Sequence, residues 1–180
     1  DGARQASRPV LDLRAIPDVE VQPEPAGQGI GAYYSPAPDD GSRPPTFFIS
    51  LSGSNACIPM MQRVAYHEAM PGHHLQIASA QLLDLPTFRR DMILNGYAEG
   101  WAVYAERLAD ELGLYADPIS QLGYLRGQLY MAARVVMDTG LHSQGWTRQE
   151  AAAYVEDAMG MSPGAFLGAM DRYVAWPGQA

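Results

Sequence analysis

Short apolar runs come first along this chain, and helix-spaced apolar positions follow. Val19-Glu20-Val21 alternates over three residues and predicts one strand inside a lead-in, 1–29, that is otherwise rich in Pro, Gly and charge. Segments 30–35 (IGAYYS) and 46–51 (TFFISL) are aromatic and β-branched and predict two more strands. The Pro-rich stretch 36–45 between them reads as a loop, so the pair forms a hairpin or an edge-strand pair. A TFFISL edge would offer backbone groups to an extended peptide, whereas an ordinary hairpin would only cover the core.

From Met60 the spacing turns helical. Segment 60–68 predicts a helix, and 75–83 (LQIASAQLL) predicts a second that Leu85-Pro86 breaks. Thr87 or Asp91 starts the next piece. Segment 95–112 is rich in Ala, Leu and Glu and predicts a strong helix, with Gly113 as its stop. A long helix is expected over 119–138, then a turn over 139–146. Thr147-Arg148-Gln149-Glu150 has the form of a capping box opening a helix over 148–159. Ser162-Pro163 starts a last helix through Tyr173. The sum is an α+β chain, mainly α, with its strands near the N-terminus.

Composition narrows the function classes. The 180 residues suffice for one domain with a sizeable core. A net charge of −8 argues against a nucleic-acid partner; all 12 positive charges are arginine. The single cysteine, Cys57, excludes an internal disulfide and a cysteine-based zinc cluster, and its apolar context suits a small buried residue. No apolar run is long enough to span a membrane, and no signal peptide is visible, which leaves the compartment open. The chain begins without methionine and ends abruptly at Pro177-Gly178-Gln179-Ala180, as a piece of a longer protein would.

The candidate chemistry sits in Tyr66-His67-Glu68-Ala69-Met70-Pro71-Gly72-His73-His74-Leu75-Gln76, which holds three of the four histidines. A His-Glu pair followed by histidines is the pattern of zinc hydrolases: neutral imidazoles bind the metal and the glutamate accepts a proton from water. The spacing departs from His-Glu-x-x-His. In an unbroken helix the i+6 position lies about 120° off the face and about 9 Å along the axis, and i+7 lies about 10.5 Å away. Neither could share a metal with His67. Pro71-Gly72 supplies a break, and a loop-out over 69–72 is expected to bring His73, with His74 as the alternative, beside His67. The plainer reading is a helix end whose histidines cap or pack.

Other polar residues in apolar runs need partners. Glu99 lies among Tyr97, Trp101, Ala102 and Val103, where a metal would satisfy a carboxylate. Glu106, seven residues on, falls on nearly the same face and is expected either to pair with cations near Arg107 or to support the metal ligands from behind. Arg134 and Asp138 are spaced for an i,i+4 pair that shapes the site. His142, read in a loop just after a helix, could donate to a tetrahedral intermediate, or could be solvated.

Several of these segments together resemble the bacterial DUF885 family. They are His67 to Gln76, Tyr97-Ala98-Glu99-Gly100-Trp101-Ala102, Arg134 to His142, Gly145-Trp146-Thr147, and Arg172-Tyr173 with Pro177 to Ala180. The resemblance covers roughly 19–180, and family members are usually longer. That family is similar to the gluzincin branch of zinc metallopeptidases. The resemblance implies a zincin-like catalytic domain, 1–180, with an irregular lead-in (1–29), strands (30–51) and a helical bundle (57–180) carrying the metal site. It implies Zn²⁺ held by His67, His73 and Glu99, Glu68 as general base, and His142 and Tyr173 as oxyanion donors. The substrate would be a peptide or a small amide. A module that keeps the fold and only binds peptide is the competing class.

Overall fold

The computed structural model describes residues 2–25, 31–50, 58–91 and 94–179. Cys57, Ile30 and Leu51 fall outside those residues. The chain clusters into two compact units, 1–124 and 125–180. It is mainly helical with one small sheet, the α+β class that the periodicity predicts.

The first unit opens with α1 (Gly2–Ser7), inside a stretch expected to be mere connection. Six residues are too few to display an amphipathic stripe, so sequence periodicity missed it. Arg4 in α1 donates to the carbonyls of Leu13, Ile16 and Pro17, which ties the lead-in down. Leu13 and Ile16 are thereby buried against Met70, Leu75 and Ala78.

The sheet has the order β1-β3-β2, with β1 (Glu20–Pro23), β2 (Ala32–Ser35) and β3 (Thr46–Ile49). β2 and β3 pair antiparallel, as a hairpin would, with Ala32 opposite Ile49. β1 runs parallel to β3, with Glu20 opposite Thr46. The TFFI strand is therefore central, and it has no free edge on which to seat a peptide. Buried Thr46, Phe47 and Ile49 explain its place: the most apolar strand takes the position covered on both edges.

Four further helices lie wholly within the first unit. α2 (Ile58–Glu68) is followed by a turn over 69–72, and α3 (His73–Gln81) starts directly at the second histidine of the motif. α3 stops short of Leu82 and Leu83, which are exposed. α4 (Thr87–Asp91) is a single short piece, and α5 (Asn95–Glu111) crosses both α2 and α3. Tyr66 of α2 and Ala109 of α5 pack with Tyr115 and Tyr124, and this cluster fixes the α2–α5 pair on which the polar site depends.

α6 (Pro118–Ser143) continues five residues past its expected end at Asp138. Gly140 lies within the turn that the sequence predicts over 139–146. It is instead a contact point: a Cβ there would collide with the indole of Trp146, so the glycine lets that ring pack close against the helix. In the second unit, α7 (Arg148–Met159) begins at the expected capping box. The Thr147 hydroxyl accepts from Glu150 N–H, and the Glu150 carboxylate accepts from Thr147 N–H. The last helix is shorter than expected. Residues 163–166 form turns because the buried Glu156 carboxylate takes the backbone N–H groups of Gly164 and Phe166. A 3₁₀ turn (Leu167–Ala169) and α8 (Met170–Ala175) follow. Met137, Val155, Met159, Phe166, Met170 and Tyr173 form this unit's core.

Candidate metal centre

His67 and Glu68 occupy the last turn of α2, and His73 opens α3. The turn between them folds the chain back onto the end of α2. Gly72 lies so close to the carbonyls of Tyr66 and His67 that any Cβ would collide with that backbone. This close approach cancels the extra length of the motif. The His67 and His73 rings stand perpendicular with centroids 4.9 Å apart. His67, Glu68 and His73 each offer a ligand atom, all within 4.8 Å of one another.

α5 supplies the acids. Glu99 Oε2 lies 3.5 Å from His67 Nε2 and 3.9 Å from His73 Nε2, so one carboxylate oxygen faces both imidazoles. Glu106, two turns along the same face, accepts from His67 Nδ1 at 2.7 Å. The two acids thus hold opposite nitrogens of one ring, and the bond at Nδ1 leaves Nε2 directed toward Glu99 and His73. Glu106 is completely buried, and its other oxygen takes the Nε–H of buried Arg63 at 2.8 Å. The expected cation near Arg107 is a different one, since Arg107 pairs with Glu111 on the surface. Arg63 lies one turn before His67 on α2, and that spacing was the available signal.

Either acid beside the histidines could complete a ligand set. Glu68 is the donor when three atoms are grouped by mutual distance alone, yet Glu99 aims one oxygen at both Nε2 atoms. Glu68 follows His67 on the helix, about 100° further around the axis. Its carboxylate also accepts the Tyr34 N–H of β2. Glu99 Oε2 thus faces both imidazoles, with the Glu68 carboxylate alongside.

The electrostatics separate the roles. Burial works against a charged His67, but Glu106 and Glu99 outweigh it and hold its pKa up at about 9. Burial pushes the Glu68 carboxyl up to about 7, with Glu99 adding to the effect and His67 opposing it. Burial, with His67 beside it, lowers His73 to about 4. One imidazole is thus neutral and ready to donate a lone pair. The other holds a proton at neutral pH, and the Glu68 carboxyl beside them can take or give one there.

His74 points elsewhere. Both its nitrogens are engaged, Nδ1 with Tyr34 Oη at 3.0 Å and Nε2 with the Pro17 carbonyl at 2.9 Å, so it pins β2 and the lead-in to α3. Trp101 lies two residues after Glu99 on α5. Its Nε1–H donates to the carbonyls of Pro71 and Gly72, at 3.0 and 3.2 Å, inside the turn between the histidines.

The remaining site candidates gather in the second unit. His142 lies in the last turn of α6 rather than in a loop, and its Nε2 hydrogen-bonds the Tyr173 carbonyl at 2.9 Å. Tyr173 Oη shares a hydrogen bond with Tyr130 Oη at 3.1 Å. Arg134 does not pair with Asp138. Its guanidinium packs against the rings of Tyr130 and Tyr173 and donates to Gln179 Oε1 at 2.9 Å, a fit to two aromatic faces and an amide that an i,i+4 contact cannot match. Asp138 instead accepts the Gly178 N–H.

A buried, carboxylate-bonded imidazole and a half-buried one on a broken helix pair, with acids from a crossing helix, define a class of mainly helical α+β proteins with a candidate metal centre. The family model described as "Bacterial protein of unknown function (DUF885)" matches residues 5–180. The chain belongs to that family. A crystal structure described as that of a candidate lipoprotein from Colwellia psychrerythraea is similar over 99% of this chain, with 38% identity and a TM-score of 0.90. The chain spans 32% of that protein's length. No curated protein matches it.

Proposed function

We propose that this chain is the catalytic part of a zinc-dependent hydrolase with a zincin-like fold, and that its substrates are peptides. The observation that carries the reading is the placement of one Glu99 oxygen within 4 Å of Nε2 on both His67 and His73, beside Glu68. The donor chemistry fits zinc: two imidazoles and a carboxylate, with one imidazole oriented from behind by a buried acid. When bound, zinc would supply Lewis acidity to an amide carbonyl and a lowered pKa to a water.

The chain's own residues account for the proton transfers. Glu68 takes the proton from the attacking water and delivers it to the departing amine, which a carboxyl held near pH 7 by burial can do in both directions. Glu106 and Arg63 keep His67 turned. Glu99, with a side chain 37% exposed, borders the open side of the group, where substrate would arrive. His142 Nε2 and the Tyr173 hydroxyl each have partners within the second unit, so the reading rests on the residues of the first. Peptides of varied length and sequence form the first panel to screen. Small non-peptide amides would use the same chemistry and form the second panel.

Elemental analysis and a peptide-library screen test the reading. Wild type should hold about one zinc per chain, the loading a single site requires. Glu99→Ala should lose or weaken it. Glu68→Gln should keep the zinc and lose turnover by a factor of about 10² or more. Full hydrolysis by Glu68→Gln, or no zinc in wild type after reconstitution, rejects the proposal.

A further inference from the structure

We infer that Trp101 is the positioning residue that makes the long His67–His73 spacing usable as a metal pair. The inference rests on the metal-centre reading and adds a residue to it. The two histidines are six apart, and only the fold-back over 69–72 brings their rings to 4.9 Å. That fold-back buries backbone. Pro71 is fully buried, and Gly72 is buried against the end of α2. Buried carbonyls need donors. The Gly72 carbonyl receives Gln76 N–H at 3.2 Å, the first bond of α3. It also receives the Trp101 indole, and the same indole N–H reaches the Pro71 carbonyl at 3.0 Å. A single side-chain donor thus bridges two consecutive carbonyls in the segment that sets where α3, and His73 with it, begins.

The position of Trp101 on α5 couples the clamp to the third ligand. Trp101 is two residues after Glu99, so one helix carries both the carboxylate that faces the imidazoles and the donor that holds the loop between them. Any shift of α5 moves both together, and the His–His–Glu spacing is preserved. The indole also packs against the apolar cluster of Leu13, Ile16, Met70 and Leu75, which leaves its ring little freedom. Trp101 touches neither metal nor substrate in this account. It acts through the loop.

The test removes only the N–H. Trp101→Phe, and the chain carrying benzothienylalanine at 101, in which sulfur replaces the indole N–H at nearly unchanged shape, are compared with wild type and with Ile16→Val. The last is a mild stability control in the same apolar cluster. Zinc affinity is read by competition with a chromophoric chelator, ligand geometry by the visible spectrum of the Co²⁺ form, and loop order by amide hydrogen exchange over 69–76 in chelator-treated protein. Both 101 variants should bind zinc about tenfold or more weakly, the range seen for lost supporting bonds. They should also shift the Co²⁺ spectrum and exchange faster over 69–76, while Ile16→Val keeps the wild-type affinity. Affinity within twofold of wild type in both variants, or an equal loss in Ile16→Val, overturns the inference. If wild type takes up no zinc, the metal reading fails, and the exchange comparison still decides the clamp: unchanged exchange over 69–76 overturns it and faster exchange supports it.

Discussion

Arg63, Glu106 and His67 form a buried chain of charge and hydrogen bonds, with Arg63 and His67 on one helix and the acid on another. Removing one member of a buried ion pair leaves the other without compensation, at a cost of about 3–5 kcal/mol. Arg63→Met should therefore destabilise the protein by about that much, read by urea unfolding, and should weaken zinc binding as His67 loses its orientation. Arg63→Met together with Glu106→Leu should recover part of the stability and none of the affinity. The pH dependence follows from His67. Its folded pKa of about 9 lies above the ordinary histidine value of 6.5, so the folded state holds this proton more tightly than the unfolded chain. That stabilisation is fully present below about pH 6.5 and is lost as pH rises through about 9. Chelator-treated protein should accordingly lose thermal stability between pH 7 and 9.5. Zinc uptake at pH 7.5 should release about one proton, measured by calorimetry in buffers of different ionisation enthalpy. No proton release would place the metal elsewhere than on His67.

At the scale of elements, the site is made by a break and a crossing. α2 and α3 would be one helix without Pro71-Gly72, and α5 lies across the junction to deliver Glu99 and Glu106. Gly72→Ala forces a Cβ into the α2 carbonyls, which cannot move without unwinding the helix end. It should cost about 3 kcal/mol or more, at the upper end for overpacking, and zinc binding should go with it. A folded, zinc-loaded Gly72→Ala protein would show that the close approach is dispensable. Periodicity found α2, α5 and α7 to within a residue or two, because each buries one stripe. It misjudged α6 and the last helix for opposite reasons. Gly140 looks like a stop but serves a ring contact, and the helix-like run after Ser162 is held in turns by the distant Glu156 carboxylate.

For the whole molecule, anything that binds only the folded chain raises its stability. A site assembled from three helices, absent in the unfolded chain, must do so. Zinc at 100 times its dissociation constant should add about 2.7 kcal/mol and raise the melting temperature of chelator-treated wild type, but not of Glu99→Ala. No helix among the described residues is long and apolar enough to cross a membrane. The sequence by itself determined the helical class, the small sheet near the N-terminus, the broken motif and the candidates His67, Glu68, His73, Glu99 and Glu106. Those are local facts, written in spacing, in Pro-Gly and in acids set within apolar runs. Tertiary structure alone decided that the TFFI strand is central, that His74 faces the lead-in, that Arg63 stands behind Glu106, and that Trp101 bridges the loop. Each of those depends on a partner distant in sequence, and in a chain where several groups could serve equally well, only packing selects which one meets it.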